Sequence, residues 1–510
     1  MRNTIRTLAV SLILFSCGYV LSASGGGERE SLSAEQKSVK LFGYLIGSPP
    51  AGMPEVTAEL NRMLKRDLNC TMEINYINWA DRFSKYPLVL AAGEDIDWIF
   101  TANWCMFAQQ ASRGAFRELL ESELSKYMPR HFAAVPPEGW RQAKVNGKIY
   151  MVPTSTPDKK VPVFLLRRDL RLKYGIPEIR RLEGAESYFR AIVNNEPGMI
   201  PMNLEIGYDL YAAFSAVRNR YSPPYAWIVN DSVPFIYNYE LSRPGVLTEL
   251  DGEYGVSFAK AATIMKEWSE KGYINKNPFA NKVRSMEAFA EGKSAVAFGN
   301  SQDSQGTIAR AQEKGYDVEI IPVLSSTGTY PADPYINNGF AVAAAGKNVE
   351  ETLMAMDLIM EDPAYDYLVY FGIEGRNYVI RDERIALPEG LTTDTNTYPP
   401  DTAGFWFTNK DIFKPLASWG PSYEGIRAGL DKMLVATPYS AFNFVPDNVK
   451  TEFVNVTQAW QQYALPLQIG MVSDVEKAIS TLKGKLAAAN VDRVRAEMKQ
   501  QLDAFAGLLK

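Results

Sequence analysis

Histidine chemistry is confined to one residue, because His131 is the only histidine among the 510 residues. A Ser-His-Asp or Cys-His arrangement for nucleophilic catalysis would have to use it. The segment 127–132 around it is typical of the end of a surface helix, so we expect a solvated or locally bonded side chain. Glycosidases need only two carboxylates. Asp and Glu total 59, so counting leaves that enzyme class open, but we expect no catalytic residue.

Metal and cofactor chemistry has no motif in this sequence. The three cysteines, Cys17, Cys70 and Cys105, form no CxxC pair and no Cys/His cluster, and a zinc site needs such spacing. No P-loop, GxGxxG or GxSxG motif stands at a strand-to-helix turn. We therefore expect no cofactor and no metal. Cys70 begins one predicted strand and Cys105 follows another, which argues against a disulfide between them.

Aromatic side chains point to binding. The chain has 9 Trp and 27 Tyr. Flat rings stack on the apolar faces of sugars, while amides, carboxylates and Arg bond the rim of hydroxyls. In open α/β sheets the ligand crevice lies outside the carboxyl ends of the strands, and Trp79 and Trp104 directly follow predicted strands. The candidate ligand-binding residues are Trp79, Asp81, Asn103, Trp104, Trp227, Asn300, Arg376 and Trp406.

Each candidate also has a purely structural interpretation. Most aromatic residues in a chain of this size belong to the core, as we expect for Trp98, which lies inside a predicted strand. Asp81 is also compatible with a helix N-cap. Arg376, in a Gly-rich turn, is also compatible with an interlobe or surface charge. We expect Trp104 to be the main stacking platform of the first lobe, with Asn103 and Asn300 beside it and Trp227 opposite.

The elements that position these residues alternate between strands and helices. Strands are predicted at 40–46, 72–76 and 96–100, with helical segments between them, and this order indicates βα units and a mostly parallel sheet. Asn146-Gly147 predicts a tight type I′ hairpin. Pro153 to Pro157 is interpreted as the first crossing between two lobes.

Several motifs, taken in their order along the chain, carry a family resemblance. They are the segments 41–68, 91–97, 145–153, 291–293 and 372–378, and then 442–444, 449–452 and 496–503. The chain resembles bacterial extracellular solute-binding proteins of family 1. It is most similar to LipO-like ABC transporter substrate-binding lipoproteins with a C-terminal DUF3502-type domain.

The resemblance implies an α/β, two-lobe type II periplasmic-binding-protein-like fold with discontinuous lobes and an appended C-terminal helical region. A ligand would lie in the cleft and the lobes would close on it. The expected division is 1–35 for signal peptide and tether, 36–153 with 294–345 for the first lobe, 157–290 with 347–400 for the second, and 401–510 for a DUF3502-like region packed on the second lobe.

The first residues predict export. Arg2 and Arg6 precede a short apolar run, which is typical of a secretory signal, and Leu14–Gly18 resembles a lipobox with Cys17 as the lipidated residue. Cleavage near Leu21–Ala23 is the alternative. The net charge of −5 and the absence of a long basic run exclude a nucleic-acid footprint. We expect an extracytoplasmic protein that is lipid-anchored to the cell membrane, in the periplasm or at the cell surface.

The resulting functional prediction is capture of a ligand, most plausibly an oligosaccharide, and its delivery to the transmembrane subunits of an ABC importer. A monomer is expected. The alternatives are a glycan-acting hydrolase and a ligand-sensing protein that docks on a receptor. The sequence does not name the sugar, its length or its linkage.

Overall fold

The computed structural model describes residues 38–92, 95–223, 226–227, 233–237, 245–437 and 439–508, without the side chains of residues 80, 83, 226, 227 and 508. Cys17 and the predicted signal region lie outside the described residues. Within the described part, two β-sheets each form the centre of a lobe. The sheets and the segments between them determine where the candidate site residues lie.

The first lobe is built on a five-stranded sheet. In spatial order its strands are Cys70–Ile77, Val39–Ile46, Trp98–Thr101, Gly339–Val342 and Val152–Pro153. The first three strands are parallel, and the last two each run antiparallel to their neighbour. The carboxyl ends of the parallel strands therefore meet at one edge of the sheet, where a crevice is expected.

Amphipathic helices cover this sheet. Helix Met53–Leu68 has a proline in its first turn, buries Val56, Leu60 and Leu64, and ends at Asn69, whose φ of 52° is left-handed. A left-handed residue at this position satisfies carbonyls of the last turn. The other helices of the lobe are Arg82–Ala91, Phe107–Ser112, Glu121–Tyr127, Pro129–Ala134, Pro137–Gln142, Val349–Glu361 and Pro363–Phe371.

The second lobe is built on a four-stranded mixed sheet. Its strands, in spatial order, are Val318–Pro322, Pro162–Arg167, Ser294–Asn300 and Ile200–Met202. Only the last pair is parallel. The helices of this lobe are Arg168–Lys173, Glu186–Asn195, Tyr208–Arg218, Gly252–Glu270, Ser285–Ala290, Gln305–Glu313 and Pro421–Met433.

Three C-terminal helices pack against the core of the second lobe. They are Lys450–Gln468, Val475–Ala488 and Val491–Leu508. Trp460, Leu482 and Val494 join the same hydrophobic core as the second sheet. The last helix buries residues at helical spacing, so its apolar stripe faces this core.

Four small sheets complete the strand inventory of the described residues. They are Val246–Thr248 with Phe235–Tyr237 and Ala226–Trp227, Tyr330–Pro331 with Leu434–Val435, Val379–Arg381 with Arg384–Ala386, and Lys144–Val145 with Lys148–Ile149. The last pair is the predicted hairpin, and its turn residues Asn146 and Gly147 have φ of 52° and 81°. These positive angles are those that a type I′ turn requires.

The division of the chain between the lobes differs from the expected one. Strand Ser294–Asn300 was assigned to the first lobe, but it pairs with Pro162–Arg167 in the second sheet, and the chain returns to the first sheet only at Gly339–Val342. Residues 347–400 were assigned to the second lobe, but their helices pack into the first core. A buried apolar run identifies a strand without identifying its partner, which is why the sequence misplaced both segments.

The C-terminal region also divides between the lobes. Phe405 and Phe407 belong to the core of the first lobe, so the expectation that the whole of 401–510 packs on the second lobe is wrong for this stretch. Large apolar side chains such as these are mostly buried, and here the nearest core is that of the first lobe, although the helices that follow pack on the second lobe.

Three segments connect the lobes. The first crossing, residues 154–161, joins Val152–Pro153 to Pro162–Arg167. The second, residues 323–338, returns to Gly339–Val342, and the third, residues 372–420, leads to helix Pro421–Met433. Within the described residues, these three crossings join the two lobes, so a hinge motion between the lobes would change backbone angles in or beside them.

Two further features bear on chemistry. Cys70 and Cys105 are separate, buried, free thiols. Among the helices of the described residues, none combines the length and apolar character needed to span a bilayer.

Candidate functional site

Three tryptophans from distant parts of the sequence meet at the carboxyl edge of the first sheet. The ring centroid of Trp79 lies 5.7 Å from that of Trp104 and 5.4 Å from that of Trp406, and both pairs are stacked. Trp79 follows strand Cys70–Ile77, and Trp104 follows strand Trp98–Thr101. We call Trp79, Trp104 and Trp406 the tryptophan cluster.

Two members of the cluster are held by hydrogen bonds and packing, and the third is exposed to solvent. The indole N–H of Trp104 donates to the carbonyl of Asn337 at 2.7 Å, and that of Trp406 donates to the carbonyl of Asp401 at 2.9 Å. The ring of Phe100 underlies both of these rings, at 5.5 Å and 5.4 Å. Trp79 is the outermost member, with 46% of its surface exposed.

The order of exposure changes the predicted roles. Trp104 is half-buried and hydrogen-bonded, so it supports the cluster as much as it lines the cleft. Trp79 presents the larger free surface. An exposed tryptophan held by stacked neighbours is a preorganised apolar surface, and the flat face of a ligand can cover it without first ordering the ring.

Charged residues from all three crossings form the floor of the cleft. Asp158 accepts from Lys410 at 2.6 Å and from Lys160 at 3.0 Å, and Lys160 also pairs with Asp333 at 3.1 Å. The side-chain amide of Asn338 donates to Asp158 at 2.8 Å. We call Asp158, Lys160, Asp333, Asn338 and Lys410 the hinge charge network.

Burial and pairing act against each other within this network. Burial alone would raise the pKa of Asp158, but the charges of Lys160 and Lys410 outweigh it and hold that pKa well below its usual range. Burial likewise opposes the charge of Lys160, yet Asp158 and Asp333 raise its pKa. Asp333 has only one close lysine, and burial raises its pKa. The network therefore keeps Asp158 and Lys160 ionised where the crossings meet.

A cavity of about 1000 Å³ opens beside this floor and is lined by both lobes. That volume lies at the upper end of the usual range for ligand pockets. Asp158 and Lys410 line it from the crossings, Asp303 and Arg284 from the second lobe, and Asp401 from the segment that ends in the tryptophan cluster. The rings of the tryptophan cluster do not line the cavity themselves, but the backbone carbonyl of Asp401, a lining residue, accepts from the indole N–H of Trp406.

Asp303 and Asp401 both line this space. Asp303 accepts from the backbone N–H of Asn300 at 2.7 Å. Asp303 is exposed to solvent, yet desolvation by the surrounding protein and the neighbouring carboxylate of Asp401 raise its pKa to about 6, against the opposing effects of that hydrogen bond, Arg284 and Lys160. Burial also raises the pKa of Asp401, although Lys410 and the hydroxyl of Tyr370 act in the other direction. Both side chains can accept hydrogen bonds from ligand hydroxyls.

Of the other predicted residues, two lie near this region. Asn103 follows the first sheet, and its side-chain oxygen accepts from the backbone N–H of Trp104 at 2.9 Å. Asn300 ends the strand before Asp303, and its side-chain oxygen accepts from the N–H groups of Gln302 and Asp303 at 2.8 Å and 3.0 Å. Both side-chain amide oxygens therefore already accept hydrogen bonds from nearby backbone N–H groups.

Two predicted residues are occupied elsewhere. Asp81 pairs with Lys85 one helical turn away at 2.6 Å, and its side chain makes no cap hydrogen bond at the start of helix Arg82–Ala91. Arg376 pairs with Glu55 of the same lobe at 2.6 Å and is 55% exposed. The side chain of Trp227 lies outside the described residues. The structure thus brings together three of the four predicted tryptophans, and neither Asp81 nor Arg376 joins them.

His131 is fully buried, which corrects the expectation of a surface helix end. Its Nδ1 lies 2.7 Å from Glu361, and its Nε2 lies 2.8 Å from the carbonyl of Pro153, beside the first crossing. Both ring nitrogens are therefore used locally, so the side chain holds structure together. The described residues contain no group of three or more His, Cys, Asp or Glu suited to a metal ion.

Sequence reasoning missed the hinge charge network and the pair Asp303 and Asp401. One signal was available, because Asp158 and Lys160 directly follow the predicted crossing at Pro153–Pro157. Charged residues of both signs at a lobe crossing are candidates for a buried network. No comparable local signal marks Asp333 or Lys410.

Comparison with known proteins places the fold. Residues 438–507 match the family model described as a domain of unknown function, DUF3502. The chain is 23% identical to a carbohydrate ABC transporter substrate-binding protein of Streptococcus pneumoniae, over 98% of this chain and 96% of that protein.

Crystal structures of solute-binding proteins are similar to this chain over most of its length. The crystal structure of the N-glycan transport solute-binding protein NgtS from Streptococcus pneumoniae has a TM-score of 0.73 and 21% identity, and covers 92% of this chain and 99% of that one. The NgtS complex with Man5GlcNAc has a TM-score of 0.67, with 21% identity and the same shares covered. The chain therefore has the two-lobe solute-binding-protein fold, with the appended helical C-terminal region.

Proposed function

We propose that this protein is the extracytoplasmic solute-binding component of an ABC importer, and that it captures an oligosaccharide in the cleft between its lobes. The observation that carries the proposal is the tryptophan cluster with its exposed outer ring, together with a cavity of about 1000 Å³ that both lobes line. The similarity to a carbohydrate substrate-binding protein along nearly the whole chain supports it.

The cleft offers the two contacts that a sugar needs. Trp79 can cover an apolar sugar face, while Asp303 and Asp401 can accept from hydroxyls. The size of the cavity favours several linked sugar units over a single one. Closure of the two lobes around the ligand would exclude water from both kinds of contact.

Binding without catalysis is the better interpretation of this cleft. The relative that the chain matches along nearly its whole length is a substrate-binding protein. The only histidine has both ring nitrogens engaged in a buried structural site, which leaves no free histidine for a nucleophilic triad. A solute-binding protein and a hydrolase make different predictions for the same experiment, because a hydrolase shortens a bound glycan. Incubation with a bound oligosaccharide should leave its length unchanged, and shorter products would favour the hydrolase.

Delivery to a permease and anchoring by lipid belong to the same proposal. The charged start and the short apolar run before Cys17 are the features that support anchoring. Cys17→Ala should release the protein from the membrane fraction, and unchanged retention would contradict the anchor. The protein would act as a monomer that docks on the transmembrane subunits.

A thermal-shift screen over oligosaccharides tests the proposed ligand class. A ligand that binds only the native state stabilises it by about 2.7 kcal/mol at a concentration of 100 Kd. At least one oligosaccharide should raise Tm in a concentration-dependent way, and the monosaccharides it contains should raise it less. A screen in which peptides but no glycans raise Tm would refute the oligosaccharide proposal.

A further inference from the structure

Seven acidic residues line the cavity, and most of them lack a cationic partner. Asp158 and Asp431 pair with lysines. For the other five, no Lys or Arg nitrogen of the described residues lies within 4 Å of the carboxylate. These five are Glu287, Asp303, Glu313, Asp401 and Asp411.

Most of the Lys and Arg side chains that line the cavity, in contrast, already have an acidic partner. Five of the six already pair with a carboxylate. Lys159 pairs with Asp431, Arg284 with Asp209, Arg310 with Asp394, Lys410 with Asp158 and Lys414 with Glu383. The sixth, Arg427, lies over the ring of Trp419 at 4.2 Å. The cavity therefore offers a ligand five carboxylates without a cationic partner and few available positive charges.

Of these five carboxylates, we consider Asp303 and Asp401 the best placed to distinguish one ligand from another. Asp303 comes from the second lobe and Asp401 from the third crossing. Both line the cavity, and they lie close enough for their charges to repel each other. The backbone carbonyl of Asp401 also accepts from the indole N–H of Trp406. A sugar held in the cavity would meet both carboxylates, because both residues line it.

We infer that the cleft selects uncharged oligosaccharides and rejects those that carry carboxylates, and that Asp303 and Asp401 set this preference. The inference rests on the proposed function and names the ligand class within it. Hydroxyl groups can donate to both side chains at once. The carboxylate of a uronate or sialate has no proton to donate there and meets two like charges, which is the repulsive element that selectivity requires.

The charge of Asp303 makes the preference depend on pH. The groups that act on this side chain are Asp401, Arg284, Lys160 and the hydroxyl of Tyr208. Asp303 has a pKa of about 6, so it is mostly ionised at pH 7.5 and mostly protonated at pH 5. Protonation removes one repelling charge and provides one donor. Rejection of an anionic glycan should therefore weaken as the pH falls through 6.

Calorimetry with matched pairs of probes tests the inference. Suitable pairs are galactotriose with trigalacturonate, and mannotetraose with tetramannuronate, measured at low salt because salt screens the repulsion. The uncharged member of a pair that binds should bind at least about tenfold more tightly than its acid at pH 7.5. This ratio should shrink at pH 5.

Single variants identify the residues responsible. Asp303→Asn and Asp401→Asn should each lower the ratio several-fold, and Asp303→Asn should abolish its change between pH 7.5 and pH 5. The control is Asp95→Asn, which removes the same charge from an exposed pair with Lys347 outside the cavity lining and should leave the ratio unchanged.

The possible outcomes separate the inference from the proposed function. Equal or tighter binding of the acids would overturn the inference while leaving oligosaccharide capture intact. A ratio that the two cavity variants do not alter would overturn the assignment to Asp303 and Asp401. If neither member of any pair binds and the thermal-shift screen finds no glycan, the proposed function fails and the inference fails with it.

Discussion

The tryptophan cluster and the hinge charge network occupy the same cleft but are assembled in different ways. The cluster packs on the core of the first lobe, and two of its three members directly follow strands of one sheet. The network takes residues from all three crossings, so it can persist only while those segments keep their relative positions. The tryptophan cluster is a preorganised apolar surface that a ligand can cover. The hinge charge network is a set of polar contacts between the segments that connect the lobes.

This difference predicts which property each region controls. Substitutions in the hinge charge network should mainly change stability, because they leave charges buried without partners. Substitutions in the outer part of the tryptophan cluster should mainly change affinity. Five predictions test this separation, from the largest expected effect to the smallest.

Asp158→Ala should lower the free energy of unfolding by about 3–5 kcal/mol, because it leaves Lys160 and Lys410 in a buried site without their shared partner. The Asp158 side chain is 6% exposed. Denaturant unfolding followed by tryptophan fluorescence measures the change. Asp81→Ala is the matched control, since it removes an aspartate from a more exposed pair, and an equal loss in both variants would refute the special role of the network.

The same network gives stability a defined pH dependence. The pKa of Asp158 is depressed in the folded protein, so its contribution is fully present above the unfolded pKa of about 3.9. That contribution is lost as the pH falls through the lower, folded value. Wild-type stability should therefore fall more steeply below pH 4 than the stability of Asp158→Ala.

Trp104→Ala should lower both stability and affinity. The ring is half-buried, rests on Phe100 and donates to the carbonyl of Asn337, so its removal should lower the free energy of unfolding by about 2–3 kcal/mol. The variant therefore tests how far the supporting role of the cluster extends. Unchanged stability with a large loss of affinity would make Trp104 a pure ligand contact, as the sequence alone suggested.

Trp79→Ala should separate affinity from stability most clearly. The aromatic face contributes about 1–2 kcal/mol to a stacked ligand, which corresponds to about a tenfold weaker Kd. The loss of stability should be smaller than for Trp104→Ala, because nearly half of the ring is already exposed. Calorimetry with an oligosaccharide from the thermal-shift screen gives Kd. Leu88→Ala, at a 65% exposed apolar position, is the control and should bind normally.

The contrast also explains what the sequence could and could not predict. Trp79 and Trp104 were predicted because residue type and the end of a strand are local features, and parallel strands bring such positions to one edge. Asp158 and Lys410 are 252 residues apart, and no local pattern relates them. Their pairing depends on which strands share a sheet, and the sequence misassigned Ser294–Asn300 for that same reason.

A finer local signal was present but was not used. Lys85 lies four residues after Asp81, a spacing at which opposite charges pair on a helix, and the structure contains that pair. The spacing alone favoured a surface role for Asp81. Conversely, the greater exposure of Trp79 than of Trp104 follows from the indole hydrogen bond to Asn337, a contact between residues 233 positions apart that sequence reasoning could not supply.

Arg376→Ala should have the smallest effect. Arg376 and Glu55 are 55% and 47% exposed and belong to the same lobe, and an exposed ion pair contributes at most about 1 kcal/mol. Stability should change by less than about 0.5 kcal/mol, and oligosaccharide affinity should stay within about twofold of wild type, a difference well under 1 kcal/mol. Calorimetry beside Trp79→Ala provides the comparison. A tenfold loss of affinity would instead place Arg376 against the ligand once the lobes close, and the binding surface would then extend beyond the tryptophan cluster to the turn around Gly375.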